Sequence, residues 1–314
     1  MRRVLAFYKF INVADPDVRA GELQSLGEQR EVVGTILLAN EGVNGTIVAE
    51  QSNLELMVQS LQQSFGKMMF KWSELDQSGV GFHRFKVRVK PEIVSFGVAD
   101  LNLQMTGQHV GAERWNELLD DPDVLVIDTR NHYEIDIGTF DNAVSPDTDN
   151  FRQFPQWVKD NVDPTKQRKV AMFCTGGIRC EKASAYMAQH GVEEVYQLDG
   201  GILQYLEDVP EDASRRQREC FVFDQRVSVN HGLEQGKFRQ CYACRHPLSA
   251  EDLQAAEFEH GVSCPFCHST VTEQRRQQFR ERQRQVRLAA ARGESHIGVK
   301  HSGKASAGRV RELN

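Results

Sequence analysis

Apolar residues in the first 100 positions fall into short runs that are separated by stretches with a helical period. The runs predict β-strands, and the stretches in which apolar residues recur every three to four positions predict helices. Between the second and third runs, Asn40-Glu-Gly-Val-Asn-Gly45 supplies the turn residues of a hairpin. The predicted elements are strands at 4–11, 32–38, 45–49, 69–74 and 83–89 and helices at 17–28 and 53–65. Their β-α-β-β-α-β order is that of a ferredoxin-like α+β domain over residues 1–100.

The last of these strands has one mostly apolar and one basic face, because successive side chains of a strand point to opposite sides. The basic side carries Arg84, Lys86, Arg88 and Lys90. A solvated strand face is one interpretation. A platform for phosphate groups is the other, since four like charges that bind nothing would repel each other.

From about residue 111 the pattern changes to an alternation of helices and apolar strands. Helices are predicted at 112–119, 150–161 and 181–190, and strands at 124–128, 170–173 and 195–198. This alternation predicts a parallel α/β sheet covered by helices over residues 101–212, with reactive residues at the carboxyl ends of the strands. Residues 208–218 are polar and predict a linker, and a small cysteine-rich domain is predicted at 213–274.

Charge is distributed unevenly along the 314 residues. The net charge is −6, but residues 275–314 hold eleven Lys and Arg against three Glu, so this tail carries +8 and the rest of the chain −14. A basic helix is predicted at 273–292, and disorder beyond residue 293.

No apolar stretch approaches the roughly 20 residues that cross a bilayer, and no secretory signal is indicated. We therefore expect a cytoplasmic protein without membrane contact.

Cys174 follows an apolar strand and begins the loop Cys174-Thr-Gly-Gly-Ile-Arg179, which leads into a helix. The backbone N–H groups of such a loop and the helix dipole favour an anion. Gly176 and Gly177 allow the backbone to curl around the sulfur, and Arg179 and Lys182 add positive potential. We therefore expect a lowered pKa for Cys174 and a nucleophilic thiolate.

Three motifs resemble the rhodanese family and together cover residues 105–207. They are Asp128-Thr-Arg130 with Glu134 after an earlier strand, the six-residue loop that begins at Cys174, and Leu198-Asp-Gly-Gly201 after the last strand. In that family the loop cysteine becomes a persulfide. The resemblance implies that Cys174 is catalytic and that Asp128 and Arg130 hold the site in shape.

Other interpretations of this region remain open. Tyrosine-type phosphatases have five residues between the loop cysteine and arginine, whereas four separate Cys174 from Arg179, and the narrower loop suits sulfur better than a phosphoryl group. An inert copy with a merely buried cysteine is a second alternative. Cys180 is either a resolving thiol for Cys174 or a packed residue at the start of a helix. His132-Tyr-Glu134 resembles part of an iron site, although Glu134 already has a place in the rhodanese pattern.

Two further cysteine pairs, Cys241-Tyr-Ala-Cys244 and Cys264-Pro-Phe-Cys267, are separated by nineteen residues. This spacing lies in the usual range for a four-cysteine zinc site, which would be structural because four thiolates leave no position for water. A knuckle of reduced or pairwise oxidised thiols is the alternative. Cys220 stands apart and has no assigned role.

Arginines follow the second cysteine pair directly, beginning with Arg275, Arg276 and Arg280. A solvated helix is the default interpretation of such a charge run. A dense arginine series beside a zinc-type knuckle on an otherwise acidic chain instead favours a polyanion, and we predict that these three residues and the basic strand bind RNA.

The order of the parts is similar to that of the rhodanese-containing tRNA uridine(34) hydroxylase family over nearly all of residues 1–275. The longest similar stretches are 40–46 and 173–184, and Cys220-Phe-Val-Phe-Asp224 adds a third. This resemblance implies an acylphosphatase-like N-terminal domain, tRNA as the partner and molecular oxygen as co-substrate. It also implies 5-hydroxyuridine as the product at wobble position 34, with Cys174 as the required residue. A base of the anticodon loop is unpaired and can be reached without opening a duplex.

The sequence carries no flavin or nicotinamide fingerprint and indicates no stable protein partner. How oxygen is activated stays open at this stage. A plain persulfide sulfurtransferase, acting on thiosulfate or on tRNA, is the main alternative function, and a non-catalytic RNA-binding module is the other.

Overall fold

The computed structural model describes residues 2–74 and 82–294. Its N-terminal domain contains strands β1 (Arg2–Phe10), β2 (Val33–Ala39), β3 (Gly42–Glu50), β4 (Phe70–Glu74) and β5 (Phe85–Val89) and helices α1 (Pro16–Gln29) and α2 (Gln51–Phe65). All seven predicted elements are therefore present. Gly42 follows a two-residue turn with φ +148°, a backbone conformation that glycine adopts most readily.

The five strands form one sheet in the order β4-β1-β3-β2-β5. The predicted ferredoxin-like arrangement is confirmed, and β5 extends it by pairing with β2 in parallel at the edge of the sheet. Alternate residues of the central strands, such as Leu5, Ile36 and Ile47, pack against Leu54 and Met57 of α2. Because helices cover only one face, the basic side chains of β5 remain exposed.

The central domain contains strands β6 (Gln108–Val110), β7 (Val124–Asp128), β8 (Lys169–Phe173) and β9 (Glu194–Leu198) and helices α3 (Ala112–Asp120), α4 (His132–Ile135), α5 (Phe154–Asn161), α6 (Ile178–Gln189) and α7 (Gly201–Asp208). The strands form a parallel sheet in the order β6-β9-β8-β7. The predicted parallel α/β sheet is confirmed. The sequence did not predict β6, α4 and α7, which are too short to show a clear period.

Both faces of this sheet are buried. Residues Val170 and Met172 of β8 point into a cluster formed with α5 and α6. Ala171 and Phe173 point into a second cluster that contains Trp115 of α3 and residues of α7. The period of two along β8 explains why its sequence is continuously apolar, as expected for a strand covered by helices on both sides.

Residues 208–218, predicted as a linker, are mostly exposed, but Arg216 ties them to the central domain. Arg216 is buried and donates hydrogen bonds to the backbone carbonyls of Gly138 (3.2 Å) and Arg218 (2.6 Å). Cys220 and Val222, which follow, belong to the hydrophobic core of the central domain. One buried guanidinium therefore holds this polar segment against the central domain, because its partners are carbonyl groups of the protein rather than water.

After this segment the chain forms short pairs of strands and a long helix. Strands β10 (Cys220–Phe221) and β11 (Ser228–Val229) pair with each other, and so do β12 (Arg239–Gln240) and β13 (Pro247–Leu248). Helix α8 (Glu273–Ala291) confirms the predicted basic helix, and the Thr272 side chain caps its first turn. Of the predicted disorder after 293, residues 295–314 lie outside the described residues. Within the described ranges, no helix is both long and apolar enough to cross a membrane.

Candidate active site and metal centre

Cys174 lies at the carboxyl end of β8, where parallel α/β sheets place reactive groups, and its side chain is only 1% exposed. The backbone N–H of Gly177 donates a hydrogen bond to the sulfur at 3.1 Å. Gly177 has φ +97° and is the residue before α6, so the loop turns directly into the helix N-terminus. The predicted loop geometry is therefore present around the sulfur.

The pKa of Cys174 is set by opposing effects. Burial raises it most strongly, but a hydrogen bond from the Cys180 thiol, the charge of Arg179 and the backbone N–H groups of Arg179 and Gly176 lower it to about 6. Burial and the neighbouring Cys174 raise the pKa of Cys180. Cys174 is thus the thiolate and Cys180 the thiol that donates to it. Thr129 contacts the Cys180 sulfur at 3.7 Å from the other side.

Arg179 is fixed by a carboxylate of the preceding motif. Its two terminal nitrogens donate to the two oxygens of Glu134 at 2.6 and 2.7 Å, and Glu134 is fully buried. A phosphatase uses the corresponding arginine to bind the phosphoryl group, whereas this guanidinium is held in a bidentate pair. Glu134 was not among the predicted site residues, although its position in the rhodanese motif was the signal that could have identified it.

Asp128 and Arg130 brace the end of β7 rather than touch the sulfur. They form a buried ion pair of 2.6 Å. Arg130 also donates to the carbonyl of Gly138 at 2.7 Å, and Thr139 donates to Asp128 at 2.8 Å. These contacts fix the segment that leads from β7 to Glu134.

Lys182 does not contribute positive potential at the sulfur, contrary to the sequence expectation. Its ammonium lies between Glu92 (2.7 Å) and Glu41 (2.8 Å) and also donates to the Val94 carbonyl at 3.0 Å. Glu41 belongs to the turn between β2 and β3, so Lys182 joins α6 to the N-terminal domain.

Cys174 lines a cleft of about 1090 Å³ between the N-terminal and central domains, here called the cysteine cleft. The side chains that line this cleft also include Tyr8, Lys71, Trp72, His109, Glu181 and Phe223. None of these six was predicted as a site residue. Tyr8, Lys71, Trp72 and His109 come from distant parts of the chain, whereas Glu181 and Phe223 lie in the similar stretches 173–184 and 220–224, which were the signal that could have identified them. The volume lies slightly above the usual range of small-ligand sites, which leaves room for a single nucleotide.

Tyr8 of β1 lies directly over the cysteine loop. Its hydroxyl donates to Glu181 of α6 at 3.2 Å. A Cβ atom on Gly177 would lie 2.8 Å from the same hydroxyl oxygen, so no larger residue fits there without displacing Tyr8. Burial and the charges of Glu181 and Cys174 raise the pKa of Tyr8. The hydroxyl therefore stays protonated.

Lys71 of β4 contacts the opposite side of the loop region. Its ammonium donates to the carbonyl of Gly200, in the motif after β9. Burial lowers the pKa of Lys71, and the nearby acidic groups and Cys174 act against that shift. The N-terminal domain thus supplies both a tyrosine and a lysine to the cysteine cleft.

The predicted RNA-binding residues occupy two places. Arg84, directly before β5, and Lys86 and Arg88 of β5 are exposed, and Lys90 lines the cysteine cleft. Arg275 is exposed on α8, with its guanidinium over the Phe279 ring. Arg276 and Arg280 also make contacts within the chain: Arg276 donates to the His268 carbonyl at 2.9 Å, and Arg280 pairs with Glu259 at 2.7 Å.

The four paired cysteines converge at one point. The sulfur atoms of Cys241, Cys244, Cys264 and Cys267 all lie within 4.8 Å of one another. Two of the separations, Cys244 to Cys264 and Cys264 to Cys267, are 3.7 Å. Tetrahedral zinc with Zn–S bonds of about 2.3 Å places its sulfurs about 3.8 Å apart, so the donor set fits that ion.

Comparison with known proteins assigns the two large domains. Residues 2–93 match the family model of the UPF0176 acylphosphatase like domain, and residues 112–208 match the rhodanese-like domain. The curated tRNA uridine(34) hydroxylase of Jannaschia sp. (strain CCS1) is 49% identical over 296 residues, which are 94% of this chain and 98% of that protein. The chain belongs to the tRNA uridine(34) hydroxylase family.

Solved structures resemble single domains of this tRNA uridine(34) hydroxylase family member. An acylphosphatase from Bacillus subtilis is 17% identical, with a TM-score of 0.23, and covers 28% of this chain and 99% of its own. A rhodanese-like domain from Anabaena sp. is 13% identical, with a TM-score of 0.29, and covers 36% of this chain and 80% of its own. The hydroxylase relative covers both domains and does not favour the plain sulfurtransferase alternative.

Proposed function

We propose that this chain hydroxylates C5 of the wobble uridine, position 34 of tRNA, to 5-hydroxyuridine, with molecular oxygen as co-substrate and Cys174 as the catalytic residue. The observation that carries the proposal is a stabilised thiolate at the floor of an inter-domain cleft in a chain 49% identical to a tRNA uridine(34) hydroxylase. The proposal places the protein in the cytoplasm, where tRNA is modified.

Cys174 acts as a nucleophile in this proposal. The thiolate adds to C6 of uracil, which forms an S–C6 bond and moves the electron pair of the C5–C6 double bond to C5. Electron-rich C5 then accepts one oxygen atom of molecular oxygen, and an external two-electron donor reduces the other atom to water. Loss of the C5 proton and departure of the sulfur restore the double bond and the thiolate.

The residues around the sulfur have separate tasks. Arg179, held by Glu134, stabilises the thiolate before attack and after release. The buried position of Cys174 excludes bulk water from the reacting sulfur. The role of Cys180 as a resolving thiol remains a proposal. Its hydrogen bond to Cys174 supports a positioning role in either case.

The basic residues on β5 and α8 are proposed to bind the tRNA phosphates, with Arg84, Lys86, Arg88, Lys90, Arg275, Arg276 and Arg280 as the candidates. The cysteine knuckle is proposed to hold one structural zinc ion through its four thiolates. Arg276 and Arg280 are anchored to the knuckle and its surroundings, so the metal would also hold α8 in place.

The decisive experiment compares tRNA nucleosides from cells that lack the gene and from cells complemented with the parent chain or with Cys174→Ser. Serine keeps nearly the same volume but is a far weaker nucleophile, so we expect 5-hydroxyuridine to return only with the parent. Mass spectrometry of the nucleosides gives the answer, with circular dichroism showing that the variant is folded. Full restoration by Cys174→Ser would contradict the proposal, and loss of thiolated nucleosides in the deletion strain would instead indicate sulfur transfer.

A further inference from the structure

A second cavity adjoins the cysteine cleft and extends to the cysteine knuckle. Its volume is about 930 Å³, and we call it the basic-aromatic groove. Thr35, Leu37 and Phe223 line both cavities, so the groove opens into the cleft that holds Cys174. The function proposed above uses Arg84, Lys86 and Arg88 of this cavity for phosphate binding but assigns no role to the rest of it.

One wall of the groove is a series of aromatic rings. The ring of Phe266 stacks on His246 at 3.7 Å between centroids, and His246 lies 6.0 Å from Tyr133. Tyr133 is 5.4 Å from Phe221, which is 5.0 Å from Phe223. The series thus runs from the knuckle to the active site, where the guanidinium of Arg179 lies 5.8 Å from the Phe223 ring centroid.

The two ends of this series are open to solvent, although its middle is packed. Phe266 is 49% exposed and Phe223 is 59% exposed, whereas Phe221 is only 3% exposed. Large exposed aromatic side chains within one groove indicate a binding surface rather than chance exposure. Phe266 is held between Cys264 and Cys267, so its ring is presented by the knuckle itself.

The basic side chains Arg84, Lys86 and Arg88 also line this groove. All three are exposed, and none forms an ion pair with another part of the chain that the structure describes. Arg245 and Arg282 add two more cations near the knuckle end. Cations and exposed aromatic rings in one groove are the combination that binds single-stranded nucleic acid, because the cations contact the phosphates and the rings stack on the bases.

We infer that the basic-aromatic groove binds the unpaired nucleotides next to the target uridine, with their bases stacked on Phe223 and on the Phe266–His246 pair. This inference rests on the proposed function, since the uracil in the cysteine cleft sets where its neighbours lie. Base-paired RNA does not fit this role because stacking within a duplex covers the base faces. The cysteine knuckle is therefore part of the substrate site as well as a structural unit.

The test uses the full-length protein and a synthetic anticodon stem-loop in which 2-aminopurine replaces the nucleotide beside the target uridine. Stacking on an aromatic ring quenches the fluorescence of this base analogue. We expect quenching by the parent. Phe266→Ala and Phe223→Ala should each weaken binding by about tenfold and reduce the quenching, and Phe266→Trp should restore both.

Tyr242→Ala is the matched control. Tyr242 is the exposed aromatic residue of the other Cys-x-x-Cys loop, 39% exposed, and its ring contacts His260 instead of lining the groove. The affinity of the Tyr242→Ala variant for the stem-loop should stay within about twofold of that of the parent. Equal zinc content in all variants shows that the knuckle is intact.

Equal losses in Phe266→Ala and Tyr242→Ala would overturn the inference, as would unchanged affinity and quenching in Phe266→Ala. The second result would point to a protein partner for the exposed rings. Because binding needs no turnover, the proposed function is tested separately. A parent that quenches the probe in a Phe266-dependent way but makes no 5-hydroxyuridine would support the groove and overturn only the reaction.

Discussion

At the scale of single residues, the sulfur of Cys174 combines two properties that usually exclude each other. Burial of an ionisable group favours its neutral form, yet this buried sulfur is the thiolate. The reason is that the groups around it are fixed donors: the Cys180 thiol donates to the sulfur, Arg179 is held by Glu134, and the N–H of Gly177 belongs to a helix start. A preorganised site of this kind stabilises negative charge without rearranging.

The lowered pKa predicts how the reactivity of Cys174 depends on pH. The thiolate of Cys174 should form as the pH rises through about 6 and should dominate above that pH. A cysteine with an unperturbed pKa ionises only at higher pH. Alkylation by iodoacetamide should therefore increase through about pH 6 and then level off. Peptide mass spectrometry can follow residue 174 separately from the knuckle cysteines.

Arg179→Gln provides the matched variant for this measurement. Removal of the positive charge should raise the pKa of Cys174, so the midpoint of alkylation should move to higher pH and activity at neutral pH should fall. Lys166→Gln removes an exposed charge far from the loop and should leave the midpoint unchanged. If the midpoint stays near pH 6 in Arg179→Gln, the charge of Arg179 does not control the thiolate.

At the scale of elements, helix α6 links the reactive loop to the neighbouring domain. Its N-terminus faces the sulfur, and Lys182, only 4% exposed, reaches Glu41 and Glu92. One helix therefore fixes both the loop and the position of the N-terminal domain that covers it. The geometry of the cysteine cleft depends on this contact.

Replacement of Lys182 by methionine should destabilise the protein by about 1–3 kcal/mol, because it leaves two partly buried carboxylates without their shared cation. Urea unfolding measures the free energy, and limited proteolysis reports separation of the domains. The control Lys166→Met removes an exposed ion pair with Asp163. The free energy of unfolding should therefore change by less than about 0.5 kcal/mol. Equal effects of the two substitutions would show that Lys182 does not join the domains.

The cysteine knuckle should contain about one zinc ion per chain, because its four sulfurs have the spacing of tetrahedral thiolate ligands. Chelation should speed hydrogen exchange in residues 241–267 and in α8, whose Arg282 donates to the Gly261 carbonyl at 2.7 Å. Exchange in β7, β8 and β9 should not change, since the central domain has its own core. A metal content near zero in fresh protein would contradict the zinc assignment.

The sequence predicted those parts of the site that depend on local chemistry. The Cys174 loop, the glycine at the start of α6 and the paired cysteines are set by residues close together in the chain, so their patterns were informative. The direction of Lys182, the position of Tyr8 over the loop and the ring series from Phe223 to Phe266 depend on how separate domains pack. No periodicity carries that information, and the polar segment 208–218 gave no sign that Arg216 is buried against the central domain.

At the scale of the whole molecule, the exposed basic residues of the N-terminal domain predict the salt dependence of tRNA binding. Replacement of Arg84, Lys86 and Arg88 by serine should weaken affinity and make the slope of log affinity against log salt less steep by about 2–3 units, since each lost phosphate contact removes roughly one. Filter binding over a range of salt concentrations measures this slope.

The control removes the same charge elsewhere, through serine at Arg114, Lys166 and Arg168. Each of these exposed residues already pairs with a carboxylate in the central domain. The slope of log affinity against log salt for this control variant should equal that of the parent. If both triple variants lower the slope equally, net charge rather than a defined surface attracts the tRNA.

The contact between Tyr8 and Gly177 also has a consequence for the evolution of this chain. The tyrosine hydroxyl occupies the space that any side chain at position 177 would need, so each domain limits what the other can become. An N-terminal domain without a residue like Tyr8 would leave this space empty, and a side chain at residue 177 would force the tyrosine ring to move. At this contact the two domains are therefore constrained to change together, although each matches a family model of its own.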